Sequence, residues 1–153
     1  GANEAAMDMI QGGLSPDEAE TSIMAMLARK DKIMGFGHAI YRESDPRNVI
    51  IKSWSKKLAE AMGDNHLYPV SVRCEEVMWR EKKLFCNADF FHASTYNFMG
   101  IPTKLFTPIF VMSRLTGWAA HVMEQRTNNR IIRPSADYTG PETAQWVDIE
   151  NRG

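Results

Sequence analysis

The sequence has few of the features that mark several protein classes. Only two cysteines, Cys74 and Cys86, occur among 153 residues, and their spacing suits neither a disulfide framework nor a zinc knuckle. We therefore expect reduced thiols in a reducing compartment. No apolar run approaches the ~18 residues of a membrane-spanning helix, and no secretory signal pattern is visible, so we expect no membrane partner.

An excess of charge of either sign is also missing. The 18 Lys+Arg residues face 19 Asp+Glu residues, for a formal net charge of -1 at pH 7. A nucleic-acid-binding domain normally carries a clear basic excess, so we expect no nucleic-acid partner, although local anion sites stay open. With 44% hydrophobic residues, a chain of this length can bury a core without disulfides or metals.

Capping signals and apolar spacing predict a series of helices. Residues 15–18, Ser-Pro-Asp-Glu, form a capping box that begins one helix. Asp45 is expected to cap another helix at Pro46, and Gly63 is expected to end it. Because no stretch alternates with a period of two over enough residues to predict a strand, the predicted fold class is all-α.

Four further helices complete this prediction. Asn3 is the expected N-cap of a first short helix that ends at residues 12–13. A highly charged helix is expected over 68–84, and Asn87 is expected to cap a helix that runs through Met99. The last long helix is expected to open at the Thr-Pro pair of residues 107–108.

Residues 35–47, GFGHAIYRESDPR, place a histidine beside arginines in a loop that contains two glycines. Such glycines permit positive φ or a close approach of the backbone to a ligand. His38, with Arg42 and Arg47, would suit an anion that carries a carbonyl group. The alternative is a helix-to-helix loop in which the glycines make a turn, His38 is satisfied locally and the arginines are solvated.

Residues 86–92, CNADFFH, place an acid in the first turn of a predicted helix. Asp89, among apolar and aromatic residues, is a candidate general base. The alternative is a first-turn acid that stabilises the helix dipole. Asp89 and His92 could share a face as metal ligands, but no third and fourth ligand follow with suitable spacing, so no metal site is predicted. Nothing local pairs Cys86 with a base, which argues against a nucleophile.

Two further arginines stand out near the C-terminal end. Arg114 interrupts an apolar helix face, and Arg133 precedes a proline in an irregular tail. A guanidinium offers a planar fork for a carboxylate, and the alternative is a side chain that extends to solvent. Together the three regions describe an anion site that suits a small dicarboxylate reacting with a molecule that loses a proton.

Several segments resemble the citrate synthase family. GFGHAIYRESDPR and NADFF resemble its two hallmark segments. RLTGWAAHVMEQR and IIRPSADYTGPE resemble its C-terminal signature, in wording closer to the 2-methylcitrate synthase branch. GANEAA at the start resembles the segment just after the first catalytic histidine of the family. The resemblance therefore implies a C-terminal fragment that lacks this histidine.

The resemblance implies a role for each matching residue. Asp89 matches the base that removes an α-proton from an acyl-coenzyme A thioester. His38 matches the residue that hydrogen-bonds the keto oxygen of oxaloacetate and protonates it. Arg47 and Arg114 match arginines that clamp the oxaloacetate carboxylates. Arg133 matches an arginine that reaches the active site of the other subunit, which implies a homodimer.

The resemblance also implies a coenzyme A site and a domain division. Gly35, Phe36 and Gly37 match the backbone stretch that lies along coenzyme A, and Arg42 matches a position that can contact its phosphates. No cofactor and no metal are implied, because the coenzyme A thioester is a substrate. Residues 1–105 would form most of a small helical domain, and residues 106–153 the C-terminal helix and tail of a large domain.

The activity implied by the resemblance is the condensation of propionyl-CoA with oxaloacetate and water to 2-methylcitrate and coenzyme A, in propionate catabolism. A citrate synthase that uses acetyl-CoA is the alternative. A non-catalytic helical module that binds coenzyme A or a protein is a second one. The fragment alone is expected to be inactive. We expect a cytoplasmic protein, with the mitochondrial matrix left open because the N-terminal region is absent.

Overall fold

The computed structural model describes residues 1–12, 15–140 and 145–152. Within these ranges it contains helices and no strand, which confirms the all-α prediction. Two short 3-10 helices cover Thr103–Leu105 and Ile149–Asn151. The six α-helices are α1 (Ala2–Ile10), α2 (Pro16–Ala28), α3 (Pro46–Met62), α4 (Leu67–Lys82), α5 (Ala88–Phe98) and α6 (Phe106–Thr127).

The structure contains the caps predicted for α2, α3 and α5. Ser15 and Glu18 form the expected capping box, in which each side chain accepts from the backbone N–H of the other residue. The Asp45 side chain accepts from the first turn of α3, and Gly63 ends that helix in the left-handed conformation with φ of 67°. Asn87 accepts the backbone N–H of Asp89 at 3.0 Å and so caps α5. These contacts are local, and local sequence therefore predicts them.

The predicted cap at Asn3 is wrong. Asn3 lies inside α1, which begins at Ala2, and it is buried. Its Oδ1 accepts the N–H of the next residue, Glu4, instead of an N–H further along the helix. Helix α1 packs against α5, and Asn3 is one of its buried residues. At the other end α1 stops at Ile10, and Gly13 of the expected terminus lies outside the described residues.

Helix α5 supplies the centre of the core. It packs against α1 and α3, while α2 packs against α4. Phe90 and Phe91 are completely buried, with their rings 5.2 Å apart edge to face, and each stabilises the fold by roughly 1.5–3 kcal/mol through burial. Ser55 and Ser94 share a buried hydrogen bond of 2.7 Å between α3 and α5, so these polar atoms are satisfied inside the core.

The chain divides into two compact units, Gly1–Gly117 and Trp118–Gly153. The first unit contains α1 to α5 and the beginning of α6. The second contains the end of α6 and a largely irregular, exposed segment. The expected boundary at residue 105 concerns the domains of a longer protein and stays a prediction. In the ranges given above, no helix is both long enough and apolar enough to span a membrane.

Both cysteines are free and buried, each 1% exposed. Burial raises the pKa of the Cys74 thiol to about 12. It also raises the pKa of the Cys86 thiol far above its usual range. Because the thiolate is the nucleophile, neither side chain is suited to covalent catalysis.

We expect Cys74 and Cys86 to resist alkylation in the native protein. Iodoacetamide reacts with an accessible thiolate, whereas in the fold both thiols are buried and protonated. Labelling at about pH 8 should therefore be at least ~100-fold slower than in urea. Mass spectrometry of peptides from timed samples measures this ratio for each cysteine separately. Rapid labelling of either residue without denaturant would show that the segment around it opens in the native state.

Candidate active site

Two loop segments are joined by backbone hydrogen bonds at the start of α5. The Gly37 N–H donates to the Phe85 carbonyl oxygen at 2.8 Å, and the Asn87 N–H donates to the Gly35 carbonyl oxygen at 3.0 Å. Between them lies a single antiparallel bridge. The Asn87 side chain adds a bond from Nδ2 to the Gly37 carbonyl oxygen, 2.9 Å long. This pairing holds the residues that follow Gly37 beside the first turn of α5.

The two glycines of this loop, Gly35 and Gly37, are required for different structural reasons. Gly35 has φ of +91°, and a Cβ there would lie 2.9 Å from Cδ2 of Phe90. Gly37 has φ of +70°, but a Cβ there would make only an ordinary van der Waals contact. Gly35 is therefore needed for its conformation and for space, and Gly37 for its conformation alone. The expected positive φ is confirmed, and the close approach that the structure shows at Gly35 is to Phe90.

His38 is half-buried and bound through one ring nitrogen. Its Nδ1 accepts the backbone N–H groups of Ile40 at 3.0 Å and Tyr41 at 3.1 Å. The Tyr41 ring lies 4.6 Å from the imidazole, centroid to centroid. Because Nδ1 accepts, the neutral ring carries its proton on Nε2, and this nitrogen has no hydrogen-bond partner in the described part of the chain. His38 is thus satisfied locally on one side and can donate to a ligand on the other.

The buried carboxylate of Asp45 joins the starts of α3 and α5. Its Oδ1 accepts from the Arg47 backbone N–H at 3.0 Å and from Arg47 Nε at 2.9 Å. Its Oδ2 accepts from Arg47 Nη2 at 2.7 Å and from the Ala88 N–H at 3.0 Å. The hydrogen bonds from Arg47 hold the pKa of Asp45 below its usual range, although burial acts in the opposite direction.

This bidentate pair fixes the guanidinium of Arg47, which remains 47% exposed on its other side. Sequence reasoning assigned Asp45 only as a helix cap. The spacing Asp-Pro-Arg was the available signal, because an acid at the N-cap lies within reach of an arginine in the first helical turn.

A cavity of about 220 Å³ at the start of α5 brings four of the predicted residues together. His38, Arg47, Asp89 and Arg114 all line it, and we call it the arginine cavity. Asp89 is half-buried in the first turn of α5. Arg114 is exposed and lies over the Phe110 ring, 4.8 Å from its centroid. The remaining lining residues are Asn87, Ala88, His92 and Phe110.

A neighbouring cavity of about 280 Å³ shares one wall with the arginine cavity. Asp89 and Phe110 line both of them. The other lining residues of the neighbouring cavity are Gly1, Ala2, Asn3 and Thr107. An acid in this position can contact molecules in both spaces, as a base acting between two reactants must.

The other predicted site residues lie elsewhere. Gly35 and Phe36 pack against Phe90 and do not line the arginine cavity. Arg42 is exposed in the loop that follows His38 and also lies outside this cavity. Arg133 is exposed in the irregular part of the second unit.

Sequence reasoning considered His92 only as a metal ligand, whereas the structure places it in the arginine cavity. Its position three residues after Asp89 was the signal that could have found it, because residues one turn apart share a helix face. Within the described residues, no group of three or more His, Cys, Asp or Glu side chains could hold a metal ion.

The arginine cavity combines three kinds of group. Arg47 and Arg114 offer permanent positive charge to carboxylates. His38 offers an Nε2–H donor to a neutral oxygen that becomes negative during a reaction. Asp89 offers a carboxylate that can take a proton. The arrangement can therefore bind a dicarboxylate with a carbonyl group and deprotonate a second molecule beside it.

Comparison with known proteins identifies relatives over nearly the whole chain. A family model described as the C-terminal domain of citrate synthase matches residues 1–135. The 2-methylcitrate synthase of Shewanella oneidensis is 68% identical over 152 residues, covering 99% of this chain and 40% of the relative. Citrate synthase 2 of Bacillus subtilis is 49% identical over 152 residues, covering 99% and 41%.

A solved structure has the same fold as this chain. It is the ternary complex of citrate synthase from Thermoplasma acidophilum with carboxymethyl coenzyme A and oxaloacetate. The TM-score is 0.87 at 31% identity, covering 99% of this chain and 42% of the other. The chain thus spans about 40% of the length of the proteins that it matches.

We expect Asp45→Asn to lower the free energy of unfolding by about 2–4 kcal/mol, because it removes a buried charge-assisted pair and weakens the bond to the Ala88 N–H. Urea unfolding monitored by circular dichroism measures the loss. Asp31→Asn is the matched control, since it removes an exposed pair with Arg29 and should cost less than about 1 kcal/mol. Equal losses in the two variants would contradict the role assigned to Asp45.

The difference between wild type and Asp45→Asn should depend on pH. The pKa of Asp45 is lower in the folded state than in the unfolded chain. Its contribution is therefore complete above the unfolded pKa of about 4 and is lost as the pH falls through the lower folded-state pKa. The difference between the urea midpoints of the two proteins should shrink as the pH falls from neutral to about 3, whereas a constant difference would exclude this linkage.

Proposed function

The chain belongs to the citrate synthase family, and on this premise we propose that the protein containing it condenses an acyl-coenzyme A thioester with oxaloacetate. The observation that carries the proposal is the meeting of His38, Arg47, Asp89 and Arg114 around one cavity. The identity of 68% to a 2-methylcitrate synthase, against 49% to a citrate synthase, favours propionyl-CoA as the thioester. The products would be 2-methylcitrate and coenzyme A, as in propionate catabolism.

Oxaloacetate would bind in the arginine cavity. Arg47 and Arg114 would hold its two carboxylates, since guanidinium groups stay charged and match carboxylate geometry. His38 Nε2–H would donate to the keto oxygen. As the new carbon–carbon bond forms at the keto carbon, this oxygen gains negative charge, and His38 would pass its proton to it.

Asp89 would act as the base. Its carboxylate would remove an α-proton from the acyl group in the neighbouring cavity, and the resulting enolate would attack the keto carbon of oxaloacetate. The position of Asp89 on the wall shared by the two cavities supports this role. Water would then cleave the thioester of the condensed product, releasing coenzyme A as a free thiol and 2-methylcitrate as a carboxylate.

The remaining roles concern coenzyme A and the second subunit. The backbone of Gly35, Phe36 and Gly37 would lie along coenzyme A, and the exposed Arg42 would contact its phosphates. Arg133 would reach the oxaloacetate site of the partner in a cytoplasmic homodimer. The reaction needs no metal and no cofactor, because the proton transfers involve only side chains and the thioester is itself a substrate.

A citrate synthase that uses acetyl-CoA is the second candidate, supported by the 49% identity to citrate synthase 2 of Bacillus subtilis. One methylene in an apolar pocket changes discrimination by only about 1–3 kcal/mol. Both thioesters should therefore turn over, and the ratio of their kcat/KM values distinguishes a 2-methylcitrate synthase from a citrate synthase.

Release of free thiol tests the proposal. We expect the full-length protein with oxaloacetate to release coenzyme A faster from propionyl-CoA than from acetyl-CoA. Faster release from acetyl-CoA would favour the citrate synthase. No release from either thioester would favour a non-catalytic module that binds coenzyme A or a protein. The segment of residues 1–153, assayed in parallel, should release none, because it spans only about 40% of its relatives.

We expect Asp89→Asn in the full-length protein to lower kcat by about 10²–10⁴, since loss of a general base costs that much. The same thiol assay measures it, with circular dichroism to show that the variant is folded. Asp8→Asn is the matched control, because Asp8 is exposed on α1 and lines neither cavity. Turnover of Asp89→Asn within a few-fold of wild type would show that another residue is the base.

A further inference from the structure

His92 is the one titratable group of the arginine cavity that the proposed function does not use. It lies on α5 one helical turn after Asp89, so both side chains emerge on the same face. It lines the arginine cavity and not the neighbouring one. Its location therefore associates it with the ligand held by the arginines.

The imidazole of His92 is held in a defined plane. It stacks on Tyr96 with ring centroids 5.0 Å apart and an angle of 9° between the rings. Tyr96 in turn packs edge to face against the buried Phe106 ring at 5.2 Å. Stacking occupies one face of the imidazole and leaves its nitrogens, which lie in the ring plane, for hydrogen bonds.

The ring nitrogens of His92 have no hydrogen-bond partner in the described part of the chain. Among residues 1–12, 15–140 and 145–152 no side-chain or backbone group forms a hydrogen bond with them, and neither nitrogen is a buried unpaired atom. They therefore keep some exposure, and the residue itself lines the cavity. A half-buried polar ring with accessible nitrogens, rigidly held in a cavity lined by arginines, is suited to contact a bound anion.

The surroundings of His92 favour a neutral ring. Burial is the main cause that lowers the pKa of His92, and the nearby Arg47 lowers it further, while Asp89 and Asp45 act in the opposite direction. His38 and Arg114 also line the cavity. A neutral imidazole adds a donor N–H beside two guanidiniums without adding a third cation that they would repel.

We propose that His92 is a substrate-contacting residue whose neutral imidazole donates a hydrogen bond to an oxygen of the keto dicarboxylate held by Arg47 and Arg114. This inference rests on the proposed function, because the ligand is the one assigned there to the arginine cavity. His92 acts on binding of the dicarboxylate, and Asp89 and His38 perform the proton transfers. His92 does not line the neighbouring cavity, to which the proposed function assigns the thioester.

His92→Phe in the full-length protein tests this role. The phenyl ring preserves the stack on Tyr96 and removes both nitrogens. We expect KM and the calorimetric Kd for oxaloacetate to rise about tenfold, the usual effect of one hydrogen bond to an anion. KM for the acyl-coenzyme A should stay unchanged, and kcat should stay within about threefold.

Two further variants separate binding from structure. His92→Gln retains an N–H donor and should recover part of the affinity for oxaloacetate. His66→Phe is the matched control, because His66 lines a different cavity beside Met62 and Phe98, and it should leave both KM values unchanged. Melting temperatures of all variants show whether each one is folded.

The outcomes distinguish this inference from the proposed function. If wild type releases thiol and His92→Phe binds oxaloacetate as tightly as wild type, the inference is wrong while the proposed function stands. Equal weakening of oxaloacetate and thioester with a lower melting temperature would assign His92 a structural role and also overturn it. If wild type releases no thiol, the proposed function fails. Calorimetry of oxaloacetate binding still tests the role of His92 in that case. Absence of oxaloacetate binding to wild type overturns the inference as well.

Discussion

The geometry of the site depends on the buried carboxylate of Asp45. Burying a charge costs free energy unless the group is paired and hydrogen-bonded. Both carboxylate oxygens of Asp45 accept hydrogen bonds, from Arg47 and from the Ala88 N–H. The same group caps α3, orients the Arg47 guanidinium and attaches the first turn of α5. One interaction thus sets the direction of the Arg47 side chain and the position of the helix that carries Asp89.

Helix α5 serves the core and the site at the same time. Phe90 and Phe91 are completely buried, whereas Asp89 and His92 line the arginine cavity. The helical repeat of 3.6 residues places positions 89 and 92 on one side and the two phenylalanines away from it. Because the buried rings hold the helix in place, the polar side chains are carried on a rigid element.

The loop that carries His38 has no regular secondary structure, and two sets of hydrogen bonds position it. Backbone hydrogen bonds attach Gly35 and Gly37 to the residues just before α5. Two further backbone N–H groups, from Ile40 and Tyr41, bind Nδ1 of the imidazole and so determine which nitrogen donates. The Nε2–H group is therefore set as a donor without a ligand, and donation to a ligand needs no change of tautomer.

The sequence by itself determined the helical class, most helix ends and the residue types of the candidate anion site. A cap such as Ser15 with Glu18 forms between residues three apart, so its signal is complete in the local sequence. Tertiary structure decided the rest. The bond between Asp45 and Ala88 joins residues 43 apart. Asn3 is a buried residue inside α1, a helix that packs on α5. His92 lines the same cavity as Arg114 of α6. Contacts of this kind depend on how helices pack, and apolar spacing shows which faces are apolar without showing which partner each face meets.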